Sequence, residues 1–154
     1  MPRQVTHHVF VIEREFTHAP ALVFFAWSNP EARRAWFRGP EDWVVGEQVF
    51  DFRVGGIEIS EGGPRGGFVS RFESRILEIV PDERIINAFV MSADGVPITA
   101  SLATTEFKPG DYGTQVKYTE QIAFLDGHDH LPQRIEGSEA MFDSFEFYLE
   151  TPKG

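Results

Sequence analysis

In QVKYTEQIAF, residues 115–124, every second position carries an apolar side chain, with one exception. Val116, Tyr118, Ile122 and Phe124 share a strand face with Glu120, and a face of that kind turns inward. A carboxylate on it suffers heavy desolvation unless it is paired or hydrogen-bonded. Two outcomes stay open. One is a structural ion pair or a position near the rim; the other is a polar anchor in a pocket, whose catalytic form is a general base. Asp51 and Arg53 lie two apart on another strand, opposite Phe50 and Phe52. With the phenylalanines inside, the charged residues make a surface pair beside Gly55-Gly56; with the facing reversed, Arg53 would meet Glu120.

A second concentration of chemistry lies in FLDGHDHLPQR, residues 124–134, where Asp126, His128, Asp129 and His130 fall within five positions. A metal ion needs three or four ligands held convergent by rigid elements. Gly127 and Pro132 give this stretch loop composition instead, and no further ligand is marked elsewhere, so neither a metal nor another cofactor is expected. The segment reads as a connection into the last helix, or a hinge over a cavity mouth. His7 and His8 stand beside the first strand with no motif around them. Other chemistries lack their parts. The absence of cysteine removes thiolate nucleophiles, disulfides and iron–sulfur clusters. No GxSxG is present, and GGPRGG lacks the Lys-Ser/Thr of a phosphate loop and opens no helix.

The elements that must position these residues follow from periodicity. Val9–Phe16 alternates as a strand. THAPALVFFAWSNPEARRAWF changes period: Pro20 suits a first helical turn, Leu22, Val23, Phe25 and Ala26 make an apolar stripe, and Asn29-Pro30 ends that helix and caps a second. From Trp43 to Phe124 the chain reads as antiparallel strands broken at Gly55-Gly56, the glycine-rich EGGPRGG, Pro81-Asp82-Glu83, Asp94-Gly95 and Pro109-Gly110-Asp111. FVSRFESRILEIV is long enough to carry a bulge between Ile76 and Leu77. SEAMFDSFEFYLE then places Met141, Phe142, Phe145, Tyr148 and Leu149 on one helical face, with Ser138 as the expected N-cap and a length near 20 Å. Only the inward face of the sheet offers that stripe a surface. The order is α+β: six or seven antiparallel strands gripping a C-terminal helix, with two short helices after the first strand and residues 1–154 as one domain.

With 24 acidic against 14 basic residues the formal charge is −10, which makes phosphate backbones and anionic headgroups poor partners. No stretch is apolar enough to span a bilayer, and MPRQVTHHVFVIEREF enters a strand pattern at once. No nucleic acid and no membrane are expected as partners, and a cytoplasmic location is. Fifteen Phe, three Trp and three Tyr are enough rings to furnish both a core and an apolar pocket.

IEREFTHAPALVFFAWSNPE, AWFRGPEDW, DFRVGG, EIVPDERI, YTEQIAFLDGHD and the closing helix, in that order, resemble the START-like, helix-grip superfamily (SRPBCC). Within it they are similar to relatives of the C-terminal domain of the activator of the heat-shock protein 90 ATPase. The resemblance runs almost end to end. It implies a curved antiparallel sheet around a long C-terminal helix, two short helices closing one end, and an apolar cavity between. It also implies that the Thr119-Glu120 pair is shared, and that relatives bind lipids, hormones or polyketides, a few catalysing cyclisation or hydrolysis. Shared fold is analogy and does not fix function.

The leading expectation is a binding protein for a small hydrophobic or aromatic molecule held between sheet and helix. Phe50, Phe52, Phe72, Phe89, Leu102 and Tyr118 would line its cavity from the sheet, and Met141 and Phe145 from the helix. Trp36, Phe37 and Trp43, bracketing Gly39-Pro40, would wall one end, with Glu120 as polar anchor. The alternatives are a cyclase or hydrolase using Glu120 as acid/base, and a chaperone-interacting module of the ATPase-activator kind. An unpaired sheet edge makes a homodimer a further expectation.

Overall fold

Strand β1 (Val5–Phe16) runs straight into two short helices, α1 (Pro20–Ser28) and α2 (Pro30–Trp36), in a computed structural model that describes residues 3–153. Six strands follow: β2 (Val44–Phe50), β3 (Ile57–Gly63), β4 (Ser70–Val80), β5 (Arg84–Ala93), β6 (Val96–Pro109) and β7 (Thr114–Leu125). The chain closes with α3 (Leu131–Glu150). All pairings are antiparallel, in the order β1-β7-β6-β5-β4-β3-β2, so β1 and β2 are the two edges. This is the α+β arrangement that the periodicity predicts.

Local chemistry accounts for the joints. Asn29 caps α2, its side chain accepting from the Ala32 amide at 3.0 Å, with Pro30 in the first turn. Between β5 and β6, Asp94 (φ 50°) and Gly95 (φ 81°) both take positive φ, the two-residue turn whose twist matches a hairpin. The register of β4 on β5 shifts between Ile76 and Glu78, leaving Leu77 as the extra residue of a bulge, as its length suggests.

Two expectations shift. On α1 the buried residues are Val23, Phe24, Ala26 and Trp27, whereas Leu22 and Phe25 are 49% and 57% exposed. A nine-residue helix that is apolar all round offers periodicity no single stripe, and packing chooses the face. Helix α3 starts at Leu131 and not at Ser138, which is buried mid-helix. Pro132 falls in its first turn, where the missing N–H is harmless, and Gly137 is carried inside the helix. Its 20 residues make it about 30 Å long.

The core forms where α3 meets the β1–β7 side of the sheet. Phe142 and Phe145 have no exposed surface and pack with Phe16, Trp27, Trp36 and Tyr118. Each such side chain contributes about 1.5–3 kcal/mol on burial. Arg14 of β1 ties the helix down, reaching Glu139 at 2.9 Å and Asp143 at 2.8 Å. Seven strands about 4.8 Å apart span roughly 29 Å, while a helix with its side chains covers only about 10–12 Å. One helix seated over β1 and β7 therefore leaves much of the inner face of β3 to β5 uncovered, α2 closing only one end through Arg33 on Glu58 and Phe37 on Phe72.

Candidate functional site

Over that uncovered face lies a cavity of about 1010 Å³, bounded by β3 to β7, α2, the Gly39–Trp43 segment and α3. Its size matches the upper end of small-molecule sites, about 300–1,000 Å³. The sheet side presents Phe72, Phe89, Met91, Ala103 and Tyr118, and the α2 end presents Trp36, Phe37 and Trp43. Trp43 lies so close over Gly39 that a Cβ there would come within 2.5 Å of its ring, so only glycine lets the indole close this wall. All three tryptophans of the chain line the cavity.

Helix α3 borders this space. Gln133, Gly137, Ala140, Met141, Ser144 and Tyr148 face the cavity at helical spacing, beside the Ser138, Phe142 and Phe145 stripe that faces the core. The small residues at 137, 140 and 144 are exposed and leave this side of the cavity open. A Cβ built on Gly137 meets nothing within 4 Å.

Glu120 is the most deeply placed polar group of the lining, 1% exposed. Its Oε1 accepts from the Tyr118 hydroxyl at 2.8 Å; its Oε2 accepts from Ser101 at 2.7 Å and from Arg134 Nη1 at 2.5 Å. Arg134 also donates from Nη2 to Thr99 Oγ1 at 2.5 Å. Burial pushes the Tyr118 phenol well above its usual range, and the neighbouring carboxylate adds to the shift, so the hydroxyl remains a donor. The open choice for Glu120 thus resolves toward an ion pair, but one set in the cavity wall.

A second buried pair holds α2 to β3. Arg33 gives Nε and Nη2 to the two oxygens of Glu58 at 2.7 and 2.9 Å, and Nη1 to the Trp27 carbonyl at 3.2 Å. Its guanidinium is surrounded by Trp27, Trp36, Phe37 and Phe50, with centroids 4.1–5.5 Å away. Neither Arg33–Glu58 nor Arg134 was marked by the sequence reasoning. Extending the α3 stripe one turn back from Ser138 lands on Arg134, a signal that the loop-like Gly127 and Pro132 masked. For Glu58 apolar alternation misleads, because Ile57 is 39% exposed and the glutamate between two isoleucines is inside.

Of the expected lining residues, Trp36, Phe37, Trp43, Phe72, Phe89, Tyr118, Glu120 and Met141 border the cavity, and four do not. Leu102 lies on the outer face, since β6 turns Thr99, Ser101, Ala103 and Thr105 inward to match Ile122, Glu120 and Tyr118 across the ladder. Phe145 is packed solid against Phe16, Trp27 and Trp36. Phe50 is drawn onto Arg33, and Phe52, past the end of β2, stacks against Phe24 and Phe50. Arg53 pairs with Asp51 at 2.7 Å on the surface and stays clear of Glu120.

The histidine-rich segment serves the joint between β7 and α3. Asp126 accepts from the Gln4 amide and from Arg3, which holds its carboxyl below the usual range and fastens the start of β1 to this turn. Asp129 lies 3.4 Å from His8, and His130 occupies the N-cap position of α3. Among the described residues no three His, Asp or Glu side chains are placed to hold a metal, and no helix is long and apolar enough to cross a membrane.

The comparisons agree with this geometry. The family model described as "Activator of Hsp90 ATPase homolog 1-like protein" matches residues 17–150. An uncharacterised protein from Rhizobium leguminosarum is 37% identical and superposes with a TM-score of 0.93, covering 97% of this chain and 99% of its own. A protein from Rhizobium loti is also 37% identical, with a TM-score of 0.85 over 94% and 99% of the two chains. The solution structure of an AHSA1-like protein from Aeromonas hydrophila, 23% identical, shares the fold at a TM-score of 0.69, covering 93% of this chain and 92% of its own. No curated protein matches.

Proposed function

The chain belongs to the activator of Hsp90 ATPase homolog 1-like family, and from that premise we propose that it binds a small hydrophobic or aromatic molecule between the sheet and α3. One observation carries the reading: a cavity of about 1010 Å³ walled by aromatic rings and bordered on its open side by small residues of α3. Acid–base catalysis by Glu120 fits less well. A general base needs a lone pair within reach of its substrate, and this carboxylate is 1% exposed and already takes three donors. A chaperone contact rests on the family description alone.

The neutral fluorophore N-phenyl-1-naphthylamine tests the reading. It is expected to saturate one site and to accept energy from the lining tryptophans. Gly137→Phe, whose ring enters open space from a helical backbone, should abolish that signal without lowering the melting temperature. Unsaturable binding, or binding that survives the plug, would overturn the proposal. Stimulated ATPase turnover on mixing with purified chaperone, under either result, would favour the chaperone reading. Native mass spectrometry of freshly purified protein would reveal a retained guest and the subunit number together.

A further inference from the structure

Beside Glu120, Arg134 has unused donor capacity in the cavity wall. Arg134 donates once to Glu120 and once to Thr99, its remaining N–H groups have no protein partner among the described residues, and its side chain is 15% exposed. Glu120 is less available, because each oxygen already accepts at least one donor and its exposure is 1%. Tyr118, Ser101 and Thr99 are likewise committed to the Glu120–Arg134 pair. What the Glu120–Arg134 cluster presents to a guest is therefore a donor. A guest without an acceptor would strip water from those N–H groups and replace it with nothing, which is costly in an apolar space.

Charge narrows the guest further. The positive charge of Arg134 is already matched by Glu120, and that of Arg33 by Glu58. Around the mouth Asp143 pairs with Arg14 and Glu61 with Arg71. On the inner wall an anion would meet only arginines already paired with glutamates, in a protein of net charge −10; Arg38 and Lys153, which have no carboxylate partner among the described residues, lie exposed at the rim.

Resting on the cavity reading above, we infer that the guest is an uncharged, largely apolar molecule bearing a hydrogen-bond acceptor such as a ketone or quinone oxygen, which docks on Arg134. Glu120 and Tyr118 are positioning residues, holding the guanidinium at the wall and filling its charge.

Fluorene, 9-fluorenone and fluorene-9-carboxylate test this, each measured by displacement of N-phenyl-1-naphthylamine. The first two differ only by CH₂ against C=O, and the third adds a charge. The ketone is expected to bind on the order of tenfold tighter than the hydrocarbon, as one hydrogen bond to a charged donor provides, and the carboxylate more weakly than the ketone. In Arg134→Met, its fold checked by near-ultraviolet circular dichroism, the ratio of ketone to hydrocarbon should fall to about one. Equal binding of ketone and hydrocarbon in the unaltered protein, tightest binding of the carboxylate, or a ketone preference that survives Arg134→Met would each overturn the inference. Should the variant unfold, the comparison in the unaltered protein decides. Fluorene binding without preference defeats this inference alone, whereas no displacement by any probe defeats the cavity reading with it.

Discussion

The molecule buries two arginine–glutamate pairs and uses them differently. Arg33–Glu58 is bidentate, adds the Trp27 carbonyl, and is enclosed by four aromatic rings. Arg134–Glu120 has a single contact, and hydroxyls supply the rest of its bonds. The first fastens α2 to β3, its guanidinium packed among rings and its side chains 10% and 6% exposed. The second keeps the arginine half turned toward a hollow. The charges are the same in both, and what surrounds the guanidinium decides whether it acts as a bolt or as a contact point.

The sharpest way to break that contrast is to remove each arginine. Arg33→Met leaves Glu58 charged and without its bidentate partner in a largely buried site and should cost about 3–5 kcal/mol in urea denaturation. Arg134→Met should cost less, about 1–3 kcal/mol, because Glu120 keeps two hydroxyl donors and the cavity admits water. Equal losses would show that the two pairs do the same job. A third test sharpens the second pair. Tyr118 has its phenol pKa raised in the fold, so above about pH 10 the unfolded chain gives up a proton that the native state keeps. Stability should fall as pH climbs past that point, by up to about 1.4 kcal/mol per pH unit, and Tyr118→Phe should flatten that slope. The smallest effect belongs to the exposed pair. Asp51→Asn should move the urea midpoint by no more than about 0.5 kcal/mol, since both partners are well solvated.

How far these features could be foreseen depends on the range over which the chemistry acts. Strand alternation, the Asn29 cap, the Asp94-Gly95 turn and the bulge at Leu77 are local matters, and each was legible. The inward facing of Glu120 was legible too, because its neighbours at every second position are apolar. Its partner was not. Arg134 lies 14 residues away on another element, behind a glycine and a proline that resemble a loop. Arg33 and Glu58 are 25 residues apart, and only the folded ladder turns that glutamate inward between two isoleucines. Leu102 illustrates the same limit from the other side. Its strand turns Thr99, Ser101, Ala103, Thr105 and Phe107 inward, a mixed set that polarity does not mark, and the register with β7 fixes the facing.

The two-sided character of α3 has a consequence for how such a protein diversifies. Residues that seat the helix, Phe142 and Phe145, and residues that set the volume beside it, Gly137, Ala140 and Ser144, occupy neighbouring but separate stripes. A lineage can therefore resize its interior by exchanging methyl groups along one stripe while the other goes on anchoring the scaffold. On the proposed binding reading, selectivity is free to drift without endangering the fold that displays it.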